Sequence, residues 1–236
     1  TLMIAESRTE EKDIMVKVVI NLINQNNIPL VLVDREMPEC QTNFVRCDDY
    51  QGGYIAGKHL LELGHRHFLY LPGPKYNLSQ TRRYAGIMDA LSEANVPASN
   101  IREIDYHTVF GSSAESTSSY KPYEELFFPV NYTAVIGFND LQSYSAMEIL
   151  QKKGYRIPED ISLISFDHLR KTHTYLPPLT SIADNSEKSI ADTAVSILLD
   201  KIRNPSSEIS SEVLPVSIFD DHTTGPINET FAHSFE

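Results

Sequence analysis

Short apolar runs along this chain alternate with longer stretches in which apolar residues recur at helical spacing. The short runs are too brief and too rich in β-branched residues for helices, and they predict buried strands at residues 2–5, 28–34, 68–71, 101–106, 133–138, 161–166 and 212–219. The amphipathic stretches predict helices at residues 10–25, 50–63, 79–94, 141–153 and 186–203. This alternation is typical of parallel sheets covered by helices, so we predict an α/β fold.

The length and composition are those of an ordinary folded protein. A chain of 236 residues, 41% hydrophobic and 22% charged, can form one large domain or two lobes. No apolar run approaches the roughly 18 to 20 residues that cross a bilayer, and the first residues lack the basic region and cleavage site of an export signal. We therefore expect a cytoplasmic protein without a membrane partner.

The charge and the reactive residues argue against several functional classes. A formal net charge of −12 repels phosphate, so this segment is not expected to bind DNA by itself. Cys40 and Cys47 stand apart from any second pair of ligands, and the histidines form no His-x-x-x-His pair, so reduced thiols are favoured over a disulfide or a metal site. No phosphate loop, cofactor motif or activated nucleophile is present, and we expect neither a cofactor nor an enzyme.

Polar residues follow several predicted strands at the point where each strand ends. Asp34, Asn139 and Asp167 stand in this position, and the carboxyl ends of parallel strands are where open α/β sheets bind ligands. A local turn is the alternative for Asp34, and a loop or capping role is the alternative for Asp167. Asp140 is predicted to cap the following helix rather than to contact a ligand.

Three groups of motifs carry a resemblance to a known family. The first is the strand at 28–35 that ends in Asp34-Arg35, and the second runs from Asp48-Asp49-Tyr50-Gln51-Gly52-Gly53 to Gly64-His65-Arg66. The third, and most specific, comprises Phe138-Asn139-Asp140, residues 154–162, Phe166-Asp167 and residues 177–182. In this order and spacing they resemble the core of lactose-repressor-type (LacI/GalR) transcription regulators.

The resemblance implies a particular fold class and domain organisation. It implies two Rossmann-like lobes with parallel sheets, joined by three crossovers in the manner of type I periplasmic binding proteins. The N-terminal lobe is expected at residues 1–48 plus 184–212, and the C-terminal lobe at residues 49–183 plus 213–236. Relative to the family, the front of the N-terminal lobe and the helix-turn-helix are expected to be missing, so the chain is expected to be an N-terminally truncated form.

The same resemblance implies a set of ligand-binding residues. Arg83 matches the family arginine that bonds ligand hydroxyls or a carboxylate, and a solvated surface arginine is its alternative. The expected ligand-binding positions are Ser7, Asp34, Ser79, Arg83, Phe110, Asn139 and Asp167. Loop polarity alone also accounts for Ser79, and a core role accounts equally well for Phe110.

The function implied by the resemblance is control of transcription by a small molecule. A sugar or related metabolite is expected to bind between the lobes and to control, through a homodimer, operator binding by an N-terminal helix-turn-helix that lies outside this chain. A periplasmic-type sugar-binding protein of a transport system is the alternative, because it shares the two-lobed fold. The lack of a nucleophile or cofactor loop disfavours a third class, an α/β enzyme acting on nucleotides or sugars.

Overall fold

The computed structural model describes residues 2–3, 10–74, 77–104 and 124–233, with side chains from residue 14 onward in these ranges. The chain forms two compact units, 1–49 with 74–81 and 184–217, and 50–73 with 82–183 and 218–236. In chain order the main elements are β1 (Leu2–Met3), α1 (Glu10–Gln25), β2 (Val31–Val33), β3 (Asn43–Cys47), α2 (Asp49–Glu62), β4 (Phe68–Leu71), α3 (Leu78–Glu93), β5 (Ile101–Glu103), β6 (Ala134–Gly137), α4 (Asp140–Lys152), β7 (Ser162–Phe166), β8 (Ser181–Asp184), α5 (Ile190–Arg203), β9 (Ser211–Leu214), β10 (Val216–Phe219) and α6 (Glu229–Ala232).

The first unit contains a four-stranded parallel sheet in the order β1-β2-β3-β9. Successive residues of a strand point to opposite faces, and the two small cores follow this rule. Leu30 and Leu32 pack with Ile20 of α1, whereas Val31 packs with Ala194 of α5. One helix therefore covers each face of the sheet.

Helix α1 has the predicted bounds but not the buried face that its apolar positions indicate. Ile20 is fully buried, with Val16 and Ile23 packed beside it at helical spacing. A second apolar stripe is exposed within the described part of the chain, and it comprises Ile14, Met15, Val18, Val19 and Leu22. More of this helix is apolar than one face of a four-stranded sheet can cover.

The second unit is built on a six-stranded sheet in the order β10-β8-β7-β6-β4-β5. The pairings from β5 through β4, β6 and β7 to β8 are parallel. Every residue of β4, β6 and β7 is buried, as expected for central strands with both faces covered by helices. The α/β class with parallel sheets is confirmed.

Two strand predictions were incomplete or wrong in detail, and one strand was missed. The segment 212–219 is not one strand: β9 and β10 flank Pro215 and belong to different sheets, because proline has no amide hydrogen for a ladder. Strand β3 was not predicted, since Asn43 and Arg46 interrupt its apolar pattern. The strand expected at 101–106 ends at Glu103, and residues 105–106 lie outside the described residues.

The ends of the elements follow the expected chemistry. Gly64 and Gly154 adopt positive φ angles of 94° and 91° directly beyond α2 and α4, as a left-handed helix end requires. The short helix α6 near the end of the chain is capped by Asn228. In the ranges described above, no helix has both the length and the hydropathy for a bilayer span.

Candidate functional site

The carboxyl ends of β4, β6 and β7 lie side by side in the second unit. These strands are parallel neighbours in the six-stranded sheet, so the residues that follow them meet at one edge. Pro72 follows β4, Phe138 and Asn139 follow β6, and Asp167 follows β7. Two of the three residues predicted from strand ends are therefore neighbours at this edge.

Arg83 of α3 connects two of these strand ends. Its Nη1 donates a 2.6 Å hydrogen bond to the carbonyl oxygen of Phe138, and its Nη2 lies 3.4 Å from Oδ1 of Asp167. Its Cζ lies 4.9 Å from the ring centroid of Phe138 and 4.5 Å from that of Phe166. Because Arg83 is only 6% exposed, the alternative of a solvated surface arginine is wrong.

Close backbone contacts between α2 and α3 place Arg83 at this edge. A Cβ atom on Gly53 would lie 1.9 Å from the carbonyl oxygen of Arg83, and one on Gly86 would lie 2.0 Å from that of Tyr50. Tyr50 also donates a 2.6 Å hydrogen bond to Asp89, and this bond raises the pKa of the tyrosine. The two helices are therefore in direct backbone contact at Arg83, the residue whose side chain reaches the strand ends.

Asp167 lies at the end of β7 in a conformation that is uncommon for a side-chain-bearing residue. Its φ is 96°, and that of His168 is 49°, so two successive residues are left-handed. The Asp167 side chain is 38% exposed, although one carboxylate oxygen faces Arg83. This carboxylate can therefore accept hydrogen bonds from a ligand while it remains close to a cation.

Asn139, not Asp140, caps helix α4. The Asn139 side chain accepts a 3.0 Å hydrogen bond from the amide of Gln142, and its backbone is extended as at other N-caps. Its Nδ2 has no hydrogen-bond partner in the described part of the chain, where the side chain is half-buried. The cap uses the amide oxygen of Asn139, and its nitrogen is available as a donor.

Asp140 is a buried carboxylate that links three elements. It is 1% exposed, and it accepts hydrogen bonds from the amide of Leu169 at 2.7 Å and from the hydroxyl of Ser181 at 2.8 Å. Burial raises the pKa of Asp140 to about 6, and the two hydrogen bonds oppose this rise. The prediction that Asp140 caps the helix was wrong, because its oxygens are turned away from the first turn of α4.

The remaining predicted residues lie elsewhere in the chain. Asp34 follows β2, is exposed, and has a φ of 56°; its loop is held by the 2.7 Å ion pair between Arg46 and Glu36. Ser79 is half-buried in the first turn of α3, and its amide donates to Oδ1 of Asn77 at 2.8 Å. Both belong to the first unit, whereas Arg83, Asn139 and Asp167 belong to the second.

Ser7 and Phe110 lie outside the described residues.

The structure also identifies site residues that the sequence did not indicate, namely Phe138, Phe166, Asp140 and Ser181. The two phenylalanines end apolar strands directly before predicted site residues, and this position is a signal that could have indicated them. Nothing in the sequence distinguishes Ser181 from other serines near strand ends.

The arrangement suits reversible binding of a polar small molecule. Asp167 supplies acceptor oxygens, while Arg83 and Asn139 supply donors, and such planar groups make paired hydrogen bonds to hydroxyl groups. The rings of Phe138 and Phe166 are buried against Arg83, so they orient the guanidinium. Across residues 10–74, 77–104 and 124–233, no three His, Cys, Asp or Glu residues are grouped to hold a metal ion.

The sequence is similar to known proteins over most of its length. Residues 58–224 match the family profile described as a periplasmic binding protein-like domain. The chain is 32% identical over 176 residues to the HTH-type transcriptional repressor PurR of Mannheimia succiniciproducens, covering 74% of this chain and 51% of that protein. It is 34% identical over 194 residues to the repressor of the same name from Escherichia coli O139:H28, covering 80% and 54%. The chain thus spans about half the length of these curated relatives.

Solved structures share the fold at lower sequence identity. A LacI family transcriptional regulator from Enterococcus faecium, with bound ribose, superposes with a TM-score of 0.76 at 24% identity, covering 96% of this chain and 80% of that one. The complex of the transcriptional regulator CelR with cellobiose gives a TM-score of 0.72 at 22% identity, covering 94% and 64%. These likenesses establish the fold of the chain.

Proposed function

This chain belongs to the periplasmic binding protein-like domain family. We propose that it is the effector-binding domain of a LacI/GalR-type regulator, which senses a sugar or related small metabolite to control transcription. The observation that carries the proposal is the pairing of Arg83 with Asp167 at the strand ends of the second unit. An ion pair with a partly exposed carboxylate can exchange some of its contacts for ligand hydroxyls.

The proposed ligand-binding residues include Arg83, Asn139 and Asp167, which belong to the second unit. Ser7, Asp34, Ser79 and Phe110 are further proposed ligand-binding positions. In this proposal the lobes are residues 1–48 plus 184–212 and residues 49–183 plus 213–236. The two compact units of the structure have similar boundaries, which supports the division.

Control of transcription requires that the ligand bind one arrangement of the lobes more tightly than another. A ligand with equal affinity for both arrangements shifts nothing, however tightly it binds. In the proposal, this preference passes through a homodimer in the cytoplasm to a helix-turn-helix outside these 236 residues. The net charge of −12 supports the assignment of DNA binding to a separate helix-turn-helix, because the sensing part itself repels DNA phosphates.

The names of the relatives favour a regulator over the alternative, a solute-binding protein of a transport system. Both curated relatives described above are named HTH-type transcriptional repressors. The structural neighbours with ribose and with cellobiose are named as transcriptional regulators, which supports a sugar-class ligand. We further propose that the ligand is bound and released without chemical change.

Thermal denaturation in the presence of candidate ligands tests the proposal. The chain is heated with pentoses, hexoses and disaccharides, including ribose and cellobiose, and with amino acids and nucleotides as non-sugar controls. Saturation at about 100 times the dissociation constant adds about 2.7 kcal/mol to the free energy of unfolding, so a true ligand raises the melting temperature by several degrees. Stabilisation by no sugar, or conversion of a sugar to product during incubation, would contradict the proposal.

A further inference from the structure

The left-handed turn at Asp167 and His168 is held by hydrogen bonds that three successive amides donate. The amide of Asp167 donates to the carbonyl oxygen of Ile182 at 3.0 Å, which extends the ladder between β7 and β8. The amide of His168 donates to Oγ of Ser181 at 3.0 Å, and the amide of Leu169 donates to Oδ2 of Asp140 at 2.7 Å. The backbone therefore has no unsatisfied amide where it turns.

Asp140 and Ser181 form one unit in this arrangement. Oγ of Ser181 accepts from the His168 amide and donates to Oδ1 of Asp140 at 2.8 Å. Both residues are essentially inaccessible to solvent, with exposures of 1% and 0%. Because Asp140 begins α4 and Ser181 begins β8, this pair fixes the turn relative to two rigid elements.

The turn determines the direction of the Asp167 carboxylate. Two successive left-handed residues other than glycine cost free energy, and such turns persist only where the surroundings over-determine them. Without the hydrogen bonds that the amides of His168 and Leu169 donate, Asp167 and His168 would relax toward ordinary φ values. The Asp167 side chain would then leave its position 3.4 Å from Nη2 of Arg83.

We propose that Asp140, acting with Ser181, is a positioning residue of the binding site, which aims the Asp167 carboxylate at Arg83 without touching the ligand. The inference rests on the proposed function for its biological meaning. The geometry itself can be tested on the ligand-free chain, so the two ideas can fail separately.

The test compares Asp140→Asn and Ser181→Ala with Asp167→Asn and with the control Asp192→Asn. Asp192 is also an aspartate in the first turn of a helix, but it is exposed on α5 and bonds to Ser189. The carboxamide of Asp140→Asn is nearly isosteric, retains one acceptor oxygen, and presents a donor where the second oxygen was. Melting temperatures confirm that each variant is folded before the spectra are interpreted.

Two nuclear magnetic resonance signals of the ligand-free protein report the outcome. Amide hydrogen exchange at Leu169 should become about tenfold faster or more in Asp140→Asn, because a hydrogen bond to a charged acceptor is lost. The guanidinium resonances of Arg83 should shift in Asp140→Asn and Ser181→Ala in the same direction as in Asp167→Asn. A merely structural role for Asp140 would speed exchange throughout the unit and leave the Arg83 signals unrelated to those of Asp167→Asn.

The result that overturns the inference is an Arg83 spectrum in Asp140→Asn identical to that of the wild type. Equal effects of Asp192→Asn would overturn it as well, since that variant leaves the turn untouched. If the Asp140 and Ser181 variants behave as expected and no sugar stabilises the chain, the proposed function fails and the positioning role stands.

Discussion

A Cβ atom on Gly53 would lie 1.9 Å from the carbonyl oxygen of Arg83, so these two residues meet backbone to backbone. Gly53 lies on α2, and Arg83 is the arginine whose guanidinium joins the ends of β6 and β7. The absence of a side chain at Gly53 thus allows α3 to pack close enough to α2 for Arg83 to reach the strand ends. This contact links the packing of the helices to the chemistry of the site.

Replacement of Gly53 by alanine should destabilise the second unit. The new methyl group meets backbone rather than a flexible side chain, so α2 and α3 must separate, and overpacking of this kind costs about 1 to 3 kcal/mol. Denaturation by urea measures the change. Gly225→Ala is the matched control, because its Cβ would lie at an ordinary 3.4 Å from Pro158, and it should cost little. Equal stability of Gly53→Ala and the wild type would contradict the close contact.

Substitutions can test separately the capping role of the Asn139 amide oxygen and the donor role of its nitrogen. Asn139→Asp retains an oxygen that caps α4 but loses the Nδ2 donor, so stability should be unchanged and ligand affinity reduced by about tenfold. Asn139→Ala should lose the cap as well, at a cost of about 1 kcal/mol, as should Ser189→Ala at the N-cap of α5. Thermal denaturation with and without the stabilising sugar measures both effects. Unchanged affinity in Asn139→Asp would limit this residue to capping.

Burial of His65 should make the protein sensitive to acid. Burial lowers the pKa of His65 to about 4, and its ring nitrogens lie 2.8 Å from Oγ1 of Thr133 and 2.9 Å from Oγ of Ser162. The unfolded chain takes up this proton near its ordinary pKa of about 6.5, whereas the folded chain resists until about 4. The stability contributed by neutral His65 is therefore present above pH 6.5 and lost as the pH falls toward 4, by roughly 3 kcal/mol.

The measurement is the difference in unfolding free energy between the wild type and His65→Gln at several pH values. A difference is needed because Asp140 acts in the opposite direction: its raised pKa, about 6, stabilises the fold at low pH and loses that effect as the pH rises. His65→Gln should be less stable than the wild type at pH 7 and should lose less stability toward pH 4. His67→Gln, at an exposed position nearby, should follow the wild-type profile.

Some of the site could be predicted because strand ends and family motifs can be read locally. Asp167 and Asn139 follow apolar strands, and Arg83 lies in a matching motif. The burial of Arg83 could not be predicted, since it depends on Gly53, Phe138 and Phe166, which are distant in sequence. The cap of α4 was assigned to Asp140 instead of Asn139 for a similar reason: both residue types cap helices, and only the loop after β7 decides which one does.

The fold shows the same division between local and long-range information. Strands β4, β6 and β7 were predictable because they are buried on both faces and read as continuous apolar runs. Strand β3 was not, because its burial alternates and its polar residues have specific partners, such as Arg46 with Glu36. The exposed stripe of α1 shows that an apolar pattern does not by itself identify which face is covered.

Calorimetric titration of a stabilising sugar into wild-type protein and into Asp167→Ala tests the central claim most directly. Asp200→Ala, at an exposed position on α5, is the control for loss of an aspartate. We expect Asp167→Ala to bind at least about tenfold more weakly, because hydrogen bonds to a carboxylate contribute about 1.5 to 3 kcal/mol each. Asp200→Ala should match the wild type. Equal affinity of Asp167→Ala and the wild type for that sugar would show that the strand ends of the second unit are not the binding site.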